Sequence, residues 1–117
     1  EYFARTWSGE NDLEKALLKL VKIGAKVTGV TMGEHGSMAF DDGKIIRCPA
    51  FRIKPVDTTG AGDSFHAGFE IRYMETRNIY ESMRFGSAVS AIKCLKLGGR
   101  AGLPTRSQVD EFLAKNP

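Results

Sequence analysis

The chain has 117 residues, 42% of them hydrophobic and 26% charged, which suits the core of one ordinary globular domain. Its net charge is only +3, and the basic residues are dispersed without the aromatic-and-arginine stripe that binds nucleic acid, so an anionic small ligand fits it better. No apolar run is long enough to cross a bilayer, and no signal peptide opens the sequence. Cys48 and Cys94 lie far apart with no CxxC spacing and no histidine cluster. That argues against a structural zinc and for reduced thiols in a cytoplasmic protein.

In chain order, Asn11 with Glu14 predicts a capping box for a helix carrying Leu13, Ala16, Leu17 and Leu20, ended by Gly24. Residues 25–31 read as a strand, followed by a glycine-punctuated turn over 33–36 and a second strand over 37–40. Asp41-Asp42-Gly43 is a tight hairpin signal, with 44–48 as the returning strand. Pro49 and Pro55 bracket a short extended piece, 51–54. A small-residue loop, 57–63, then leads into a helix through about Thr76. Asn78 with Glu81 caps the next helix, expected to run to about Leu97 and to stop at Gly98-Gly99. Its Gly86, Ser87, Ala88, Ser90 and Ala91 leave room for another element to pack closely. Thr105 with Gln108 caps a last helix to about Lys115. Helices alternating with strands imply an α/β layered domain, with a largely parallel sheet carrying one antiparallel hairpin.

The chemistry concentrates in Asp57-Thr58-Thr59-Gly60-Ala61-Gly62-Asp63. Gly60, Ala61 and Gly62 offer little or no side chain at a helix start, where the first N–H groups lack intrahelical partners and the dipole end is positive. Such a place attracts phosphate and can stabilise charge developing on a transferring phosphoryl group. Asp63 stands beside it in the first helical turn, where its carboxylate can accept the proton of an attacking alcohol. Singly, an Asp at a helix start is a cap and a Gly-x-Gly is a turn. Together, six specified residues at roughly 5–7% background frequency each make a chance match on the order of 1 in 10 million per position.

The run DTTGAGDSFHAGF, 57–69, resembles the second signature of the ribokinase/PfkB carbohydrate kinase family, D-T-x-G-A-G-D followed by a small-residue helix. Two further stretches agree. TMGEHG, 31–36, resembles the family's T-x-G-x-x-G turn, and 85–103 with the following Pro-Thr resembles its closing region. Glu70 departs from the pattern, which expects an apolar or small residue there. The resemblance covers nearly the whole chain, 11–115, and implies a ribokinase-like layered fold. It implies Asp63 as catalytic base and the Gly60, Ala61 and Gly62 backbone as anion hole. Thr31, Gly33, Gly36, Gly62 and Ser87 would lie on ATP. Mg²⁺ would accompany the nucleotide, with the family's acidic N-x-x-E motif falling near Glu1. A monovalent cation such as K⁺ would rest on Asp57, Thr59 and backbone carbonyls near Lys93, Lys96 and Gly98.

The implied reaction is ATP-dependent phosphorylation of a hydroxyl on a small sugar or nucleoside. Since the sequence opens at Glu1 without methionine, residues 1–117 are expected to be the C-terminal, nucleotide-binding portion of such a kinase. Without an N-terminal half the chain is expected to be inactive or nearly so, and its bare edges favour self-association into a homo-oligomer. The rival readings are a non-catalytic nucleotide-binding or regulatory module of the same fold, and a structural domain in which the loop only caps a helix. Ser64 and His66 invite a hydrolase reading, but no Gly-x-Ser-x-Gly elbow is present, and a first-turn helix histidine is better read as a packing or surface residue.

Overall fold

The computed structural model describes residues 1–117. Five α-helices are arranged around one small sheet: α1 (Tyr2–Ser8), α2 (Leu13–Lys22), β1 (Val27–Thr31), β2 (Ser37–Asp41), β3 (Lys44–Cys48), α3 (Ala61–Thr76), α4 (Ile79–Lys93) and α5 (Arg106–Lys115). A single 3₁₀ turn, Gly33–His35, joins β1 to β2.

The strands lie in the order β1-β2-β3, and both pairings are antiparallel. The largely parallel sheet expected from helix–strand alternation is therefore absent from this chain. A parallel pair needs a crossover of a dozen or more residues, whereas these strands are joined by short turns at 32–36 and 42–43.

Side-chain alternation along the strands serves two layers. Met38 and Phe40 of β2 face one side with Val30 and Ile45, packing on Ala16 and Leu17 of α2 and Ala4 of α1. Ala39, Val27, Ile46 and Cys48 face the other, against Ile79 and Met83 of α4 and Phe65, Phe69 and Tyr73 of α3. A third cluster, Phe85, Ala88 and Val109, seats α5 on α4. Both cysteines are buried and free.

Three boundaries differ from the sequence reading. Asp12, not Asn11, caps α2, its carboxylate accepting from the amides of Glu14 (2.8 Å) and Lys15 (3.3 Å). This one-residue shift makes the buried Leu13 the first helical residue. Helix α1 has no counterpart in the sequence reading, and Trp7 on it is 46% exposed. Helix α4 ends at Lys93 instead of near Leu97, because the Cys94 carbonyl accepts the amides of Val56 (2.8 Å) and Asp57 (3.2 Å). The two other caps match: Asn78 accepts from the Glu81 amide at 3.0 Å, and Thr105 and Gln108 form a reciprocal capping box.

Helices α3 and α4 approach closely at two glycines. A Cβ on Gly86 would lie 2.7 Å from the Phe65 carbonyl oxygen, and one on Gly68 would lie 2.8 Å from a Val89 methyl. Overpacking of this kind costs about 1–3 kcal/mol. Gly86→Ala is therefore expected to destabilise the protein by that amount in urea unfolding, despite the better helix propensity of alanine.

Candidate active site

A cavity of about 680 Å³ opens between the β1–β2 turn, the 50–58 segment and the facing sides of α3 and α4. This lies within the roughly 300–1,000 Å³ of small-molecule sites. Thr31, Gly33 and Gly36 line one wall, Ala61 and Gly62 another, and Ser87 a third. Six of the residues singled out from sequence thus meet around one space.

The turn wall is held by a tight backbone approach. Gly36 has φ +88, and a side chain there would run into the Cys48 carbonyl and lie 2.9 Å from Pro49 and Ala50 backbone atoms. Only glycine fits, since the position needs both a left-handed φ and no Cβ. The Met32 amide closes the turn on the Gly36 carbonyl at 2.8 Å.

At the opposite wall Gly60 is the N-cap of α3, with φ 74, and no side chain caps the helix. The Ala61 amide is spent on the Thr58 carbonyl at 3.0 Å, and the Ser64 amide on the Gly60 carbonyl at 3.0 Å. Those of Gly60, Gly62 and Asp63 have no hydrogen-bond partner within the chain. The free amides at this helix start are thus at 60, 62 and 63, with 61 occupied. The Asp63 carboxylate is exposed in the first turn of α3.

The loop before α3 is clamped to the end of α4. Asp57 receives the Thr59 amide at 2.9 Å on one carboxylate oxygen and the Gly98 amide at 2.7 Å on the other. The ammonium of Lys93, fully buried, donates to the Asp57 carbonyl at 2.9 Å. The Ser90 hydroxyl donates to the Ala61 carbonyl at 3.0 Å. The Asp57 carboxyl is held down to about 2, first by the Thr59 and Gly98 amides, then by the Thr59 hydroxyl and the positive charge of Lys93, against the opposing effect of burial. Asp57, Thr59, Lys93 and Gly98 are thus tied together away from the cavity, and neither they nor the exposed Lys96 line it.

Several lining residues escaped the sequence reading. Phe51, Arg52 and Ile53 form the floor, and Ser90, Ala91 and Cys94 extend the α4 wall. The prolines at 49 and 55 marked this segment as extended, but nothing in its composition showed which side faced the cavity. Ser64 and His66 stay outside any hydrolytic arrangement. The buried Ser64 hydroxyl donates to the Gly60 carbonyl at 2.9 Å, while His66 is exposed on α3 with its ring edge against Phe65.

A glycine-opened helix start with free amides stands beside an exposed carboxylate and faces a strand–turn wall across the cavity. The model of the pfkB family of carbohydrate kinases matches residues 3–106, so this chain belongs to that family. It is 35% identical over 85 residues to ribokinase of Bacillus subtilis, a match covering 73% of this chain and 29% of the relative. The solved structure of Arabidopsis thaliana ribokinase complexed with ribose and ATP superposes with a TM-score of 0.90 at 30% identity, over 97% of this chain and 38% of that one. The nucleoside kinase of Methanocaldococcus jannaschii gives 0.75 at 30% identity, over 89% and 33%. The fold is therefore ribokinase-like, and the chain spans about a third of the length of these relatives.

The Asp57 clamp has a pH signature. A carboxyl whose folded value is lowered from 3.8 to about 2 stabilises the fold when ionised. That contribution is complete above about pH 4 and is lost as pH falls toward 2. Thermal unfolding between pH 5 and 2 should show Asp57→Asn less stable than the parent at the upper end, with the difference narrowing toward the lower end.

Proposed function

We propose that the full-length protein transfers the γ-phosphoryl group of ATP to a hydroxyl of a small sugar or nucleoside. The observation that carries this reading is the unspent amide of Gly62, which lines a nucleotide-sized cavity, next to the unspent amide and exposed carboxylate of Asp63, which lies just outside the lining. Family membership and the ribokinase neighbour complexed with ribose and ATP support it.

In this mechanism Thr31, Gly33, Gly36 and Ser87 line the space for the nucleotide, and the start of α3 receives the phosphates. The acceptor oxygen attacks the γ-phosphorus as the bond to the ADP oxygen breaks. The hydroxyl proton passes to the Asp63 carboxylate, and ADP leaves with the bonding electron pair. A loose transition state requires little early deprotonation, so an ordinary carboxylate is a sufficient base. The free amides stabilise charge on the transferring group without having to reorient. Magnesium bound with ATP would neutralise charge on the phosphate oxygens. The neighbours include a ribokinase and a nucleoside kinase, so both acceptor classes belong in the assay.

The test is a panel of sugars and nucleosides assayed with ATP on the full-length protein, with Asp63→Asn alongside. Turnover of one acceptor should fall by about 10²–10⁴-fold in the variant, while ATP affinity is kept. Phosphorylation of no acceptor, or unchanged turnover in Asp63→Asn, would sink the assignment.

Gly62 separates ligand from scaffold. A Cβ there meets no protein atom within 4 Å, and the residue lies inside α3. Gly62→Ala should stabilise the fold by about 0.5–1 kcal/mol in thermal unfolding, yet weaken ATP binding by calorimetry, because the added methyl points into space the phosphates need.

A further inference from the structure

Resting on the kinase reading, we infer that Lys93 is a built-in cation: its buried ammonium takes the place beside the anion hole that a free monovalent ion would otherwise fill. Lys93 is the largest fully buried side chain of the protein, at 0% exposure. Burying an ammonium is costly unless it is paired, and a straight apolar side chain would fill the same space without that cost. Its Nζ reaches the Asp57 carbonyl at 2.9 Å, at the N-terminal end of the very loop that opens α3. The charge also acts on the Asp57 carboxylate, whose two oxygens are turned toward the Thr59 and Gly98 amides.

A free cation does not fit the same residues. One Asp57 oxygen already accepts from Thr59 and the other from Gly98, and the Asp57 carbonyl accepts from Lys93. The Lys93 carbonyl accepts the Lys96 amide at 3.3 Å and is pressed against Gly102, where a Cβ could not be placed without striking it. The Asp57 carboxylate, the Asp57 carbonyl and the Lys93 carbonyl are thus engaged, and a second positive charge next to a buried ammonium is repelled. Lys93 is a positioning residue: it touches neither nucleotide nor acceptor, and acts by fixing Asp57 and so the path of 57–62 into α3.

The experiment uses the full-length protein, freed of potassium and titrated with potassium chloride against a tetramethylammonium control. The parent should show full phosphotransfer without potassium and no rise in rate on adding it. Lys93→Met should lose about 100-fold in kcat, as expected when a reacting geometry is misplaced, and recover part of it with potassium or ammonium ions. Amide hydrogen exchange at 58–63 should be faster in Lys93→Met and slow again when the ion is added. Strong potassium activation of the parent overturns the inference, and that arm needs no variant, so a misfolded Lys93→Met does not shelter it. Lys93→Met with unchanged kcat and unchanged exchange also overturns it. If no acceptor is phosphorylated by the parent, the kinase reading fails by itself. The exchange measurement, with the response of the parent's loop to potassium, then still decides the role of Lys93.

Discussion

Val56 and Asp57 donate their amides to the Cys94 carbonyl, the Asp57 carboxylate takes the amide of Gly98, and the Lys93 ammonium holds the Asp57 carbonyl. This knot joins a loop to a helix end roughly forty positions later, and the site depends on it. Because the Cys94 carbonyl is turned to the loop, α4 stops early, and the chain from 94 to 100 can wrap around Asp57. Because Asp57 is fixed, Gly60 can hold the left-handed conformation that starts α3 with its first amides facing outward. Loops carry chemistry well only when a rigid frame sets their direction. Here the frame is a helix end bound to a loop by backbone groups and one buried charge.

The remainder of the architecture presents that loop to its partner wall. Small residues at Gly68 and Gly86 let α3 and α4 lie side by side, so the start of α3 and the Ser87–Ser90 turn of α4 share one cavity. The hairpin β2–β3 carries Ala39 and Cys48 onto α4, which brings the 33–36 turn across from α3. Alternation along β2 ties this face to the other, where Met38 and Phe40 are covered by α2. A change in the sheet core is thereby felt at the turn wall.

Local rules made much of this legible. The Thr105–Gln108 box, the Asn78 cap and the Asp42-Gly43 turn depend only on near neighbours in sequence, and each stands where its residues put it. The DTTGAGD loop was legible because its small residues and the left-handed Gly60 at the N-cap mark the start of a helix within the sequence itself. What depended on distant partners was not legible. The end of α4 is set by amides from positions 56 and 57, and no helix-propensity argument contains them. Lys93 looks like any solvated helix lysine until the loop covers it; its apolar neighbours Ala91, Ile92 and Cys94 were the available hint. The sheet was misjudged for a different reason: turns too short for crossovers were visible at 33–36 and 42–43, but the alternation of element types outweighed them.

The sheet is a meander in which every paired strand is also the next one along the chain, and α3 and α4 are likewise consecutive. Few distant encounters are needed to form either half, so loop-closure entropy is small within each and is concentrated in the single stretch 49–60 that unites them. That stretch is also the floor and one wall of the cavity. Ligand occupying the cavity would therefore bear on the seam between the sheet and the α3–α4 pair, linking recognition to the cooperativity of the whole chain.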